Sequence, residues 1–151
     1  MSDEQLKKVQ NLFSKFLGTK TYHNYTRDIK PTDNKAKRFM LELTCNDFMY
    51  VNRETFEMAD KDDPKALEFL HFFLKGQSFL YNQIRKMIGV IIQINRGRMD
   101  ESFIANTQRD NTVNVALAPG DGLLLEKVCY DKYNEVNSKK KSDIMLTHVK
   151  Q

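Results

Sequence analysis

The chain has 151 residues, a length that suits one domain rather than two. With 40% hydrophobic and 29% charged residues, its composition is ordinary for a globular protein. Its two cysteines, Cys45 and Cys129, are too few for a disulfide framework, and no apolar run approaches the ~20 residues of a membrane span. The net charge of +4 is compatible with a polyanionic partner. With no apolar leader at its start, the chain is expected to be soluble and intracellular, without membrane attachment.

The first predicted element is an amphipathic helix. Ser2 and Gln5 have the spacing of a capping box, in which each side chain pairs with the backbone N–H of the other residue. Apolar residues then recur at helical spacing as far as Phe16, and Gly18 supplies a stop. Such a helix must bury its apolar stripe against another element. Residues 19–35 are rich in turn-forming residues and are predicted to be mostly loop.

Three strands are predicted for the middle of the chain. Phe39, Leu41 and Leu43 alternate with their neighbours, which is typical of a strand. Residues 48–51 are predicted to form a short second strand. The compact apolar run at residues 68–74 has the length of a third.

A long helix follows, predicted from Ser78 as its cap to about Asn95 and closed by Gly97. Its apolar residues form one broad face, and Arg85 falls on the border of that face. A guanidinium keeps its proton and presents a planar fork that suits a carboxylate or a phosphate. Either Arg85 reaches water along the helix flank, or it meets a partner held in a cleft.

The last third of the chain is predicted to contain a short helix at residues 100–108 and a strand at residues 122–130. The polar segment 135–151, which includes three consecutive lysines, is predicted to be a tail, leaving residues 1–134 as the domain. The order of elements indicates an α+β fold, with a mostly antiparallel sheet and helices packed on one face.

Three segments together resemble a known family. Residues 76–89 read GQSFLYNQIRKMIG, residues 18–26 read GTKTYHNYT, and residues 118–126 read APGDGLLLE. In this order and at these spacings they resemble motifs of the TruA-type tRNA pseudouridine synthases, especially the eukaryotic branch. Lys20 departs from the pattern, because the family usually has His at that place. The resemblance covers roughly residues 18–134 and implies half of a pseudouridine synthase catalytic domain.

The resemblance implies an isomerase that converts uridine to pseudouridine in tRNA, without metal or other cofactor. It implies that Arg85 lies in the active site and pairs with a catalytic aspartate. The Arg-Thr-Asp-x-Gly-Val-His-type segment that carries this aspartate in the family has no counterpart in this sequence. We therefore expect the chain alone to be inactive, and its partner to be either the missing N-terminal half of the domain or a second copy bound through the exposed half-cleft.

Aromatic residues beside His23 are candidates for contact with RNA. Aromatic rings can stack on an unpaired base, so Tyr22, Tyr25 and His23 are predicted to face the RNA. The alternative for His23 is a satisfied histidine packed between rings. Phe79 and Tyr81, in the first turn of the predicted long helix, are assigned to the same RNA-binding set, with core packing as their alternative.

Basic and cleft-lining residues complete the predicted site. Lys86 and Arg96 are candidates for phosphate contacts, and the alternative is a solvated surface. The resemblance implies that Gly122 and Leu123 line the cleft. No His, Cys or carboxylate spacing predicts a metal site. The lysine-rich tail suggests the nucleus, with the mitochondrion or the cytoplasm as alternatives.

A function from a different class stays open. The chain could be a non-catalytic RNA-binding or assembly module, derived from a truncated or split member of the family. From part of an enzyme we expect weak tRNA binding that depends strongly on salt, whereas a stable monomer that binds tRNA tightly at high salt would favour the module. A coding region upstream of this sequence would also distinguish the two.

Overall fold

The computed structural model describes residues 1–130 and 133–138 of the chain. It divides into two compact units, Met1–Gly120 and Asp121–Gln151. The first unit combines helices with antiparallel sheets, so the predicted α+β class is confirmed. Its helices are α1 (Asp3–Ser14), α2 (Gln83–Asn95) and α3 (Ser102–Thr107), and its strands are β1 (Gly18–Thr21), β2 (Lys37–Thr44), β3 (Phe48–Asn52), β4 (Ala66–Leu70) and β5 (Phe73–Gly76).

The strands form two sheets. One sheet has the order β1–β2–β5, the other pairs β3 with β4, and all the pairs are antiparallel. The predicted single strand at residues 68–74 is wrong, because it is divided between β4 and β5 in different sheets. The break falls at His71 and Phe72, where Phe72 turns inward and packs edge-on against Phe13 with ring centroids 5.2 Å apart. A continuous apolar run carries no periodicity that could reveal such a break.

The register of β2 departs from simple alternation. Its pairing with β5 shifts between Met40 and Glu42, which marks a bulge. As a result Met40 and Leu43 are both buried, whereas Phe39 and Leu41 are about half exposed. The predicted strand is present, but its buried residues are Met40 and Leu43, and the alternation of Phe39, Leu41 and Leu43 does not mark its buried side. The short β1 was missed, since its sequence Gly-Thr-Lys-Thr offers no apolar alternation.

Helix α1 begins as predicted. The Gln5 backbone N–H donates to the Ser2 hydroxyl (3.2 Å), and the Ser2 backbone N–H donates to the Gln5 side-chain oxygen (3.0 Å). The apolar stripe of α1 is buried in the core that it shares with α2 and the three-stranded sheet. The residues of the stripe that are fully or almost fully buried are Val9, Leu12, Phe13 and, just after the helix, Phe16.

Helix α2 starts four residues later than predicted, with Asn82 rather than Ser78 in the cap position. The residue before the helix is Asn82, whose φ of 61° lies in the left-handed region and interrupts the helical path. Asparagine tolerates this conformation better than most residues. Gln83, fully buried, accepts a hydrogen bond from the Leu80 backbone N–H through its side-chain oxygen (2.8 Å). The C-terminal end is as predicted, with Gly97 at a φ of 70°.

The second unit contradicts one prediction. Residues 122–130 have no regular secondary structure, so the predicted strand is wrong. Leu124 and Leu125 are both more than four-fifths exposed. An apolar pattern becomes a strand only when its backbone pairs with a neighbour, and sequence alone does not supply that neighbour. Residues 133–138 are helical, and the rest of the predicted tail, 139–151, lies outside the described residues. In the described part of the chain, no helix has the length and apolarity to span a bilayer.

Candidate functional site

Arg85 is held between α2 and a later segment of the chain. Its Nε donates to the Ala118 carbonyl (2.8 Å), and the Ala118 backbone N–H donates in return to the Arg85 carbonyl (3.1 Å). A longer contact of 3.4 Å joins Nη1 to the Asn82 side-chain oxygen. These hydrogen bonds orient the half-buried side chain of Arg85 and join α2 to the segment at Ala118.

Two glycines allow this arrangement. A Cβ atom at Gly89 would lie 2.1 Å from the Ala116 carbonyl oxygen and 2.8 Å from its carbon, so only glycine permits the segment to approach α2 this closely. A Cβ atom at Gly120 would lie 3.3 Å from the Arg85 Cζ. The guanidinium therefore rests against the backbone at Gly120. Neither contact was predicted, although both glycines occur in the segments that carry the family resemblance.

The charge of Arg85 has no anionic partner among the described residues. The partners that it does have, Ala118 and Asn82, are neutral. The ion pairs in that part of the chain lie elsewhere: Met1–Glu68, Lys15–Glu101, Arg27–Asp28 and Lys65–Glu54. A half-buried guanidinium that is fixed in position by neutral acceptors can receive a carboxylate or phosphate with its other N–H donors.

Lys86 secures a loop against the first turns of α2. Its Nζ donates to the carbonyls of Asn24 (3.0 Å) and Thr26 (2.9 Å). Burial of this ammonium group lowers the pKa of Lys86 below its usual range, because the charged form loses hydration. In this structure Lys86 therefore contacts backbone of its own chain, and it positions residues 24–26 beside the helix that carries Arg85.

His23 belongs to a buried polar network. It is 5% exposed, and its Nε2 lies 2.8 Å from the Asn111 carbonyl oxygen. The neighbouring Asn24 donates to the carbonyls of Thr107 (2.8 Å) and Asn111 (2.9 Å) and accepts from the Val113 backbone N–H (2.9 Å). This network fixes the segment that leads towards Ala118. His23 is therefore packed in the interior, but it is not fully satisfied, because its buried Nδ1 has no hydrogen-bond partner among the described residues.

Tyr22 and Tyr25 lie in the core and offer no ring face to a base. Both are fully buried, and each packs against Phe16 and against the other. The Tyr22 hydroxyl donates to the Phe16 carbonyl (2.9 Å), and the Tyr25 hydroxyl lies 2.7 Å from the Thr107 hydroxyl. Burial raises the pKa of both phenols, since the phenolate would lose its hydration.

Tyr81 is exposed close to Arg85 in the chain. Its side chain is 60% exposed, and the Arg27 Cζ lies 4.4 Å from the centre of its ring. Arg27 was not among the predicted site residues. Phe79, which is 37% exposed, packs against Gly76, where an added Cβ atom would lie 3.0 Å from the Phe79 ring.

Arg96, Gly122 and Leu123 are the remaining predicted site residues. Arg96 is exposed at the C-terminal end of α2, about 16 Å along the helix from Arg85. Gly122 and Leu123 belong to the second unit, where Leu123 is about half exposed. Within the described ranges, no three His, Cys, Asp or Glu side chains come together as metal ligands would.

The arrangement thus brings together Arg85, Tyr81, Lys86 and Arg27 at the N-terminal end of α2. Asn82 and Ala118 orient the guanidinium. Chemically, such a cluster can hold an anion in a fixed position and present an aromatic ring beside it. It contains no described carboxylate that could act as a base or nucleophile beside Arg85.

Comparison with known proteins gives a consistent result. The sequence model of a family described as "tRNA pseudouridine synthase" matches residues 12–131. Over 135 residues the chain is 36% identical to "Pseudouridylate synthase 1 homolog" of Mus musculus and 37% identical to that of Homo sapiens. Over 136 residues it is 32% identical to "tRNA pseudouridine synthase 1" of Yarrowia lipolytica. These matches cover 89% of the chain but only 29%, 29% and 23% of the relatives, so the chain spans less than a third of their length.

Proposed function

Because this chain belongs to the tRNA pseudouridine synthase family, we propose that it contributes the arginine-bearing part of an active site that converts uridine to pseudouridine in tRNA. The observation that carries the proposal is the geometry of Arg85. Its guanidinium is fixed by neutral acceptors and faces no described carboxylate, so its remaining N–H donors can bind an anion from outside the described residues.

The reaction is an isomerisation. The bond between the ribose and the uracil nitrogen breaks, the base turns, and a bond forms from the ribose to a ring carbon, whose proton is released while the freed nitrogen gains one. The target uridine must leave its base stack to be reached. This chemistry requires a carboxylate, and we propose that an aspartate that this chain does not carry supplies it.

In this proposal Arg85 pairs with that aspartate. A guanidinium close to a carboxylate lowers the pKa of the carboxylate, because the opposite charge favours the ionised form. Two N–H donors can also fix its orientation, which a lysine cannot do. The hydrogen bonds to Ala118 and Asn82 support this role, since they hold the fork in place before the partner arrives.

The main test is tritium release from tRNA that carries [5-³H]uridine. We expect no turnover from the chain alone. We expect turnover from a chimera in which the chain replaces the matching segment of the human relative, and loss of that turnover on Arg85→Ala. Arg53→Ala is the matched control, because it removes an exposed guanidinium from the β3–β4 connection, which holds none of the predicted site residues.

The same assay separates the second candidate function. Turnover by the chain alone would contradict the need for an outside aspartate. A chimera that folds and binds tRNA as the human relative does, yet gives no turnover, would favour a non-catalytic RNA-binding or assembly module. The absence of a described carboxylate beside Arg85 is compatible with both functions, so the chimera decides between them.

A partner surface forms part of the proposal. On one side of the β3–β4 pair, Met49 lies opposite Phe69, and Leu67 follows on the same side. All three side chains are more than 40% exposed, and we name them the β3–β4 face. Exposed apolar groups of this kind favour association. We propose that either the rest of a catalytic domain or a second copy of the chain covers this face.

The location of the protein in the cell and the boundary between domain and tail are also proposals. We propose a nuclear protein on the basis of the lysine run at residues 139–141. We propose a domain that ends near residue 134. Fusion of residues 135–151 to a fluorescent protein would test whether this segment alone directs nuclear import.

A further inference from the structure

Arg27 and Tyr81 come from separate parts of the chain and meet at the N-terminal end of α2. The Arg27 Cζ lies 4.4 Å from the centre of the Tyr81 ring, within the range of a cation–π contact. Both groups are open to solvent, with the Arg27 side chain 71% exposed and Tyr81 60% exposed. An exposed arginine normally samples many rotamers, and stacking on a ring reduces that freedom.

The backbone that carries Arg27 is also held in place. Lys86 donates to the carbonyl of Thr26, the residue immediately before Arg27, and to that of Asn24. Thr26 itself is only 8% exposed. The Tyr81 ring therefore restrains the guanidinium, and the loop held by Lys86 restrains the backbone next to Arg27, although the side chain lies on the surface.

The position of this pair relates it to Arg85. Tyr81 precedes Asn82, whose side-chain oxygen contacts the Arg85 guanidinium. Two guanidiniums thus lie at the same end of α2, and like charges repel unless an anion lies near them. The anion that the structure gives Arg27 is Asp28, at 3.8 Å from Nε, with a side chain that is 89% exposed. A long, exposed pair of this kind contributes little and is easily replaced.

We propose that Arg27, held by Tyr81, binds a backbone phosphate of the RNA strand next to the uridine that reaches Arg85. The inference rests on the proposed function. A guanidinium whose Cζ lies 4.4 Å over the centre of a ring still has N–H donors directed away from the ring, and these donors match the oxygens of a phosphate. The phosphate replaces Asp28 as the partner of Arg27, and Tyr81 acts as a positioning residue.

The test is the binding of a fluorescein-labelled, unmodified tRNA transcript, followed by anisotropy in 50–200 mM NaCl. We expect Arg27→Gln to weaken binding about five-fold and to reduce the slope of log K against log salt by about 0.7–0.9, the loss of one phosphate contact. Arg53→Gln removes the same charge from an exposed arginine on the β3–β4 connection and is expected to change affinity less than about two-fold.

Variants of the ring separate the proposal from general electrostatic attraction. Tyr81→Phe keeps the ring and should bind as the wild type does, whereas Tyr81→Ala should weaken binding about two- to three-fold without any change of charge. In the double variant, Tyr81→Ala should add nothing to Arg27→Gln.

Each other outcome is decisive. Equal losses of affinity for Arg27→Gln and Arg53→Gln overturn this inference alone. Additive losses in the double variant also overturn it, because the ring would then stack on a base independently of Arg27. A wild-type chain that does not bind tRNA overturns this inference, whereas the proposed function is decided separately by turnover of the chimera.

Discussion

Gly89→Ala tests whether the close approach of residues 116–118 to α2 holds the site together. The added Cβ atom would lie 2.1 Å from the Ala116 carbonyl oxygen and 3.2 Å from the Ala118 nitrogen. Carbon atoms without a bond between them prefer separations of about 3.5–4.0 Å, so the segment must withdraw by on the order of 1 Å. The obstructing atoms are backbone and cannot rotate out of the way.

The expected loss of stability follows from opposing effects. In an unobstructed helix this substitution stabilises by about 0.8–1 kcal/mol. Over-packing costs about 1–3 kcal/mol. Separation of Arg85 from Ala118 loses two hydrogen bonds, one of them charged, for about another 1–3 kcal/mol. We therefore expect the free energy of unfolding to fall by about 1–5 kcal/mol, opposite in sign to helix propensity alone.

Urea denaturation followed by circular dichroism measures this change. Gly122→Ala is the matched control, because an added Cβ atom there has no neighbour within 4 Å and the backbone conformation is ordinary. In the chimera, turnover should also fall, since the Arg85 fork loses the carbonyl that orients it. A Gly89→Ala protein at least as stable as the wild type would refute the reasoning, because the contact with Ala116 would then be absent in solution.

Three further predictions concern catalysis, pH and assembly. In the chimera, Arg85→Lys should restore only a small part of the turnover lost in Arg85→Ala, since a point charge replaces a two-pronged fork; equal turnover for both variants would remove the orienting role. The folded-state pKa values of Tyr22 and Tyr25 are raised above the unfolded value of 10.0, so the stability they provide is complete below pH 10 and is lost as the pH rises further. Chemical denaturation between pH 8 and about 11 should show a decline that Tyr25→Phe reduces, and an unchanged decline would contradict the assignment. Sedimentation should show concentration-dependent association that Phe69→Lys, on the β3–β4 face, abolishes, whereas a wild-type monomer at all concentrations would exclude self-association through this face.

Local patterns in the sequence were sufficient for several elements. The capping box and stripe of α1, the stop at Gly97 and the alternation of β2 all depend on residues within a turn or two of one another. The same is true of the segment that singles out Arg85. Such patterns have a fixed period, and the period identifies the element before any tertiary contact is known.

Features that depend on distant contacts were not predictable in this way. The register shift at Met40 and the division of the apolar run at His71 depend on which sheet each residue joins. Aromatic rings beside a histidine are compatible with a core and with a binding surface alike. The sequence pattern of Tyr22 and Tyr25 therefore does not distinguish RNA contact from burial. Their burial follows from packing against Phe16, which no local pattern reveals.

The site itself illustrates the difference. Sequence identified Arg85, but the direction of its guanidinium is set by Ala118, 33 residues later in the chain. The segment leading to Ala118 is fixed in turn by Asn24, whose side chain bonds the backbone of Thr107, Asn111 and Val113. The carbonyl of Asn24 also accepts a hydrogen bond from the ammonium group of Lys86, which follows Arg85 in the chain. Asn24 thus joins the two segments that meet at the guanidinium. The position of the arginine therefore depends on polar contacts between segments that lie far apart in the sequence.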